Sequence, residues 1–161
     1  GCIPFCPFKP AHDAHISLAN LEHFNNLTHL TNQTVGCHAY FFRHPDTFLK
    51  SPFIRPEDLG AYSETADSVK LCGRTLGPRF LMPVVEAYIQ GRFDGNLFSL
   101  MDAAYWLTDH YYLDNKSLDP GFLKMVTQCN KICRICQHCR LKWDNAAEKR
   151  STLLKPYRNL K

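Results

Sequence analysis

Thr47-Phe48-Leu49-Lys50-Ser51-Pro52-Phe53-Ile54 runs into Arg55-Pro56-Glu57-Asp58-Leu59, and after a short polar interval comes Ser68-Val69-Lys70-Leu71-Cys72-Gly73-Arg74. The fold class turns on how these residues are read. Residues 47–54 have the composition of a strand running into a loop. Pro56 then places proline in the first turn of a helix, with Glu57 and Asp58 at the positive end of its dipole. Residues 68–72 read as a second short strand that stops at Gly73-Arg74. Pro78 opens the next helix, in which Leu81, Val84, Val85, Tyr88 and Ile89 form an apolar stripe, Pro83 bends the first turns and Gly91 supplies the stop. Strand, helix, strand, helix in this order is the pattern of a parallel α/β unit.

Outward from that stretch the chain becomes helical. Leu97, Leu100, Met101 and Ala104 share one face of a helix expected over 97–107. Asp119-Pro120 is a cap followed by proline at the first helical position, opening a helix that continues through Phe122, Leu123 and Val126. A last helix is expected over 142–155, ending before Pro156. On the other side, Leu18, Leu21, Phe24 and Leu27 have helical spacing over 17–30, whereas Pro4, Pro7 and Pro10 make 1–15 a loop. The expected organisation is an α/β portion over 1–95 and a helical, cysteine-rich extension over 96–161.

With 161 residues, 45% hydrophobic and 21% charged, the chain is long enough to bury a core and too apolar to be disordered throughout. No apolar run approaches the roughly 18 residues of a membrane span, and no segment reads as a signal peptide, so a cytoplasmic protein with no membrane partner is expected. The chain opens on Gly1, not Met, and the expectation is a C-terminal part of a longer protein. The net charge of +4 is unevenly spread. From Cys129 onward nine bases stand against two acids, a balance of +7, which leaves −3 for everything before. Cations there favour deprotonated thiolates, attract a polyanion such as RNA, or simply form the solvated face of a basic C-terminal helix.

Eight cysteines are the main chemical signal. Cys129-x3-Cys133-x2-Cys136-x2-Cys139 packs four thiols into eleven residues, a spacing that wraps the backbone around a compact centre. An iron–sulfur cluster is expected, with structural zinc as the alternative, since four thiolates also satisfy tetrahedral Zn²⁺. His138 lies inside the motif and is a possible replacement for one ligand. Cys2, Cys6, Cys37 and Cys72 are candidates for a second cluster at one end of the strands. A secreted, disulfide-bonded protein is the competing use of an even cysteine count. In that case Asn26, Asn32 and Asn115, each in an Asn-x-Ser/Thr sequon, would be glycosylation acceptors. Arg55 and Arg74, at the ends of the two expected strands, are candidates to bind a substrate carboxylate or phosphate; a structural ion pair, Arg55 with Glu57 or Asp58, is the alternative. No His-Glu-x-x-His helix is present, and no Ser, His and carboxylate set is recognisable from spacing.

Gly1-Cys2-Ile3-Pro4-Phe5-Cys6-Pro7 followed by His12 or His15, the segment Phe48 to Leu59, Val69-Lys70-Leu71-Cys72-Gly73-Arg74-Thr75, Ala87-Tyr88, Asp94-Gly95-Asn96-Leu97, and the closing cysteine cluster with Ala147-Glu148-Lys149 together resemble the collagenase-like peptidases of family U thirty-two. The resemblance implies a partial parallel, TIM-like α/β barrel segment followed by a mostly helical extension, with the first half of the barrel missing from this chain. It implies one or two 4Fe–4S clusters, with Cys2, Cys6 and Cys37 matching family cluster cysteines and Cys72 the available fourth ligand. The function it implies is oxygen-independent, hydroxylation-type modification of RNA or of a small aromatic acid, or peptidase activity. From the residues alone, the alternative is a zinc-stabilised module that binds RNA or protein without catalysis.

Overall fold

A computed structural model describes residues 9–11, 13, 14, 17 and 36–155. The expected helix over 17–30, and with it Cys2, Cys6, His12, His15, Asn26 and Asn32, therefore lies essentially outside the described residues. Where residues 9–11, 13 and 14 are described they are helical. The expected loop over 1–15 is corrected there, because proline is tolerated in a first helical turn.

Helix α1 is Cys37–Arg43, and Pro45–Lys50 follows it as a 3-10 turn. This replaces the strand expected over 47–54. Pro45 favours a helical start, Pro52 cannot donate to a strand ladder, and the Ser51 N–H closes the turn onto Phe48 O at 2.9 Å. Phe48 and Leu49 are both buried although adjacent, which an alternating strand forbids. The helix expected after Pro56 is present as 3-10 turns over Pro56–Tyr62, and the strand expected over 68–72 is irregular chain. The two stretches that were to be parallel strands are nonetheless neighbours, because residues 52–54 and 70–72 line one cleft of about 170 Å³.

Helix α2, Pro78–Gln90, has the expected ends, with Pro78 at its start and Gly91 left-handed (φ 63°) at its stop. Its buried face is Phe80, Val84 and Ala87, so the expected stripe is corrected. Val85 and Ile89 point outward, and Tyr88 is half-buried, its hydroxyl donating to Ile54 O at 2.5 Å. Gly73 lets α2 approach: its φ is 112°, and a Cβ there would lie 2.2 Å from Cε1 of Phe80. The helix expected over 97–107 is two 3-10 segments, Leu97–Leu100 and Asp102–Asp109, broken at extended Met101, with the expected Leu97, Leu100 and Ala104 buried.

Strand β1, Tyr111–Leu113, pairs antiparallel with β2, Ala147–Lys149, in the register Tyr111 to Lys149 and Leu113 to Ala147. Helix α3 is Phe122–Thr127 and starts later than expected, with Gly121 as its N-cap and no side-chain cap. The Asp119-Pro120 start is therefore corrected, and Asp119 instead accepts the Gly121 N–H at 2.9 Å in the preceding turn. Helix α4 is His138–Ala146 and gives way to β2, so the long helix expected over 142–155 is corrected. Among the described residues β1 and β2 are the only strands, and they are antiparallel. One apolar cluster joins Phe41, Phe48 and Val84 to Leu97, Phe98, Leu113, Phe122 and Trp143, so residues on both sides of position 95 share a core. Aromatic contacts knit it: Phe48 to Phe53 at 5.1 Å, Phe48 to Phe98 at 4.7 Å and Tyr111 to Trp143 at 5.4 Å between ring centroids.

Asn115 is buried and donates to Glu57 Oε1 (2.8 Å) and Phe93 O (2.9 Å). A glycan on that nitrogen would displace both bonds, so the sequon at Asn115 is not an acceptor in this fold. The described cysteines form no disulfide with one another. Among the described residues no helix is long and apolar enough to cross a membrane.

Candidate functional site

The C-terminal cysteines lie on a turn-rich loop, residues 128–137, between α3 and α4. Cys129 is half-buried and accepts the Lys131 N–H at 3.3 Å, while Cys133 and Cys136 are exposed. Lys131 has φ 63°, a left-handed residue that lets the loop reverse between the first two thiols. Cys139 sits one residue into α4, half-buried against the core, with its sulfur 4.0 Å from Leu49 O. The four thiols share an electrostatic environment. Burial pushes the Cys139 thiol up first; Lys50 pulls it down, and Cys133, Cys129 and Cys136 push it further up.

Lys50 links this loop to the core. Its ammonium is 3.0 Å from Asp46 one turn earlier, the i, i+4 spacing of a helical ion pair. Burial opposes the charge on Lys50. The hydrogen bond and charge of Asp46, with the charges of Cys133 and Cys139, outweigh burial and raise it above the ordinary lysine value. Lys50 therefore stands as a cation beside the thiols. It also lines a groove of about 990 Å³ with Tyr40, Phe53, Tyr62, Lys131 and Cys133, floored by Ile54, Leu123 and Val126. The groove thus has aromatic and aliphatic walls, two lysines and one thiol of the motif at its lip. No imidazole or carboxylate is among its described lining residues.

The donor chemistry suits a soft or borderline metal, with four thiols in eleven residues and, at His138, a buried imidazole Nε2 that has no hydrogen-bond partner. In this conformation no three His, Cys, Asp or Glu side chains among the described residues converge as a metal group, so ligation requires the exposed loop to draw in. Of the other expected ligands, Cys2 and Cys6 lie outside the described residues. Cys37 begins α1 and packs half-buried against the core, whereas Cys72 is exposed on the rim of the smaller cleft beside Lys70 and Asp102.

Arg55 and Arg74 are not brought together. Arg55 is 2% exposed and forks onto Asp58, Nε to Oδ2 at 2.8 Å and Nη2 to Oδ1 at 2.9 Å. It also donates to the carbonyls of Leu118 (2.6 Å), Asn115 (3.4 Å) and Asp119 (3.5 Å) and lies over the Phe122 ring. Its donors are directed into the fold, which is the ion-pair alternative and leaves none facing solvent. Arg74 is exposed in the turn before α2. Lys142, Lys149 and Arg150 of the basic tail already have partners, namely Asp119, the Phe42 ring and the Tyr112 ring. Lys50 and Lys131 were missed as groove residues. The Asp46–Lys50 spacing was the available sign for the first, and nothing local marked the second.

What the fold and site define is a thiol-rich loop set on the lip of a cationic, aromatic-walled groove. Over 149 residues, 87% of its length, the chain is 33% identical to a protein of Methanocaldococcus jannaschii named an uncharacterized protease. The chain spans 41% of that relative's length. No protein-family model matches the chain, and no solved structure matches it.

Proposed function

We propose that this chain is the metal-centre portion of an iron–sulfur protein within the collagenase-like peptidase family. In this reading a substrate bound in the Tyr40–Phe53–Tyr62 groove is modified beside the Cys129–Cys139 loop. The observation that carries the proposal is the placement of Cys133: one thiol of the motif lines the same groove as Lys50 and Lys131, so the loop and the cavity are one site. Cys129, Cys133 and Cys136, with a fourth donor from the start of α4, would hold the metal, and a 4Fe–4S cluster would supply one-electron chemistry there. This chain's own residues would bind and orient. The lysines would neutralise a carboxylate or phosphate, and the aromatic walls would take a flat ring, features that an RNA base with its phosphate and a small aromatic acid have in common.

The relative's name supports peptide hydrolysis as the second reading. Against it stands the lining of the groove, which includes the Cys133 thiol but no described imidazole or carboxylate to act as its base. The parallel-barrel architecture belongs to this proposal as well, with residues 52–54 and 70–72 lining one small cleft.

Anaerobic purification with iron, zinc and acid-labile sulfide quantification tests the proposal. Iron with matching sulfide, lost in Cys133→Ser, is the expected result. Zinc without sulfide would replace it with the non-catalytic, zinc-stabilised binding module.

A further inference from the structure

Resting on the reading that this loop holds a metal, we infer that its fourth ligand is His138 and that Cys139 is a core residue. Cys139 is the obvious fourth member by spacing, yet its surroundings differ from those of the other three. Cys133 and Cys136 are exposed on the loop. Cys129 and Cys139 are both half-buried, but the Cys129 sulfur accepts a loop N–H, whereas Cys139 packs against the apolar cluster with its sulfur facing Leu49 O. Free cysteine in such a place behaves as a small hydrophobe.

The residue before it has the opposite problem. His138 opens α4, and its Nε2 is buried with no hydrogen-bond partner. A buried polar atom left unsatisfied costs about 1–3 kcal/mol, and native structures contain few of them. An imidazole nitrogen two residues from Cys136, on the same short backbone segment as three thiols, has metal ligation as its matching use. The set Cys129, Cys133, Cys136 and His138 is a Cys3His site, one of the established zinc sets, and histidine also replaces cysteine at some iron–sulfur clusters, where it raises the potential. The assignment is therefore independent of which metal is native.

The test is titration of the reduced, metal-free chain with Co²⁺ under anaerobic conditions, read by absorption. Thiolate-to-cobalt charge transfer scales with the number of sulfur ligands, and the ligand-field bands separate three sulfurs and one nitrogen from four sulfurs. Wild type is expected to show the three-sulfur spectrum. Cys139→Ala should keep it with unchanged affinity. His138→Ala should weaken binding by more than the roughly tenfold that losing even an outer-shell partner costs. His138→Cys should bind again with a four-sulfur spectrum, which answers any concern that the alanine variant is misfolded. A wild-type four-sulfur spectrum that loses one sulfur in Cys139→Ala and is untouched by His138→Ala overturns the assignment while leaving the metal reading intact. Cobalt binding that is absent, or identical in Cys133→Ser, overturns both.

Discussion

Asp58→Asn decides whether Arg55 belongs to the fold or to a ligand. The perturbation keeps the shape of the side chain and removes its charge, leaving the Arg55 guanidinium 2% exposed without its counter-ion. Breaking a buried pair by removing one partner costs about 3–5 kcal/mol, because the remaining charge is left unneutralised in a medium that solvates it poorly. The structure puts this case at the lower end. The carbonyl of Leu118 at 2.6 Å stays in place, the Asn115 and Asp119 carbonyls give longer contacts, and the Phe122 ring still faces the cation. About 3 kcal/mol in a chain of this size corresponds to a melting temperature lower by roughly 6–12 °C. The assay is urea and thermal unfolding by circular dichroism for Asp58→Asn, Arg55→Met and the double variant. The double variant should lose less than the two single losses combined, giving a coupling energy above about 0.5 kcal/mol between contacting residues. Asp58→Asn within about 0.5 kcal/mol of wild type, with no coupling, would refute the argument and return Arg55 to the substrate-binding role expected from its position in the chain.

Two further perturbations probe the frame around the site. His110 is buried, with Nδ1 3.0 Å from Trp106 O and Nε2 accepting the Lys155 N–H at 2.9 Å, while its own carbonyl takes the Arg150 and Ser151 N–H groups. Burial holds this imidazole below its ordinary value; the Trp106 bond and Asp109 pull up, and Lys155 pushes down. The unfolded chain therefore binds the proton first as pH falls. Stability from neutral His110 is full above about pH 6.5 and is lost as pH drops from there toward the folded value; His110→Gln should flatten that slope in urea titrations taken across the range. Gly73→Ala should destabilise by about 1–3 kcal/mol from crowding Phe80 and by about 1–2 kcal/mol more from its positive φ, measured by urea unfolding. A loss below about 1 kcal/mol would mean that the ring moves aside freely.

The sequence by itself determined the parts whose causes are local. The ends of α2 follow from Pro78, whose φ suits a first turn, and from Gly91, which takes a left-handed stop. The four-thiol motif is likewise written in the spacing of Cys129 to Cys139. Tertiary structure decided the rest, because the deciding partners are far away in the chain. Whether residues 47–54 become a strand depends on finding a ladder; Phe48 and Leu49 instead bury side by side against Phe98 and α4. The segment 147–149 reads as helix alone but becomes a strand because Tyr111–Leu113 offers it one. Arg55, open in the sequence between substrate binding and an ion pair with Glu57 or Asp58, is settled by the Asp58 pair together with carbonyls about sixty residues away. That Cys139 packs on the core while the adjacent His138 keeps a buried nitrogen unmet is invisible in a spacing rule, since spacing counts residues and burial is set by what packs on them.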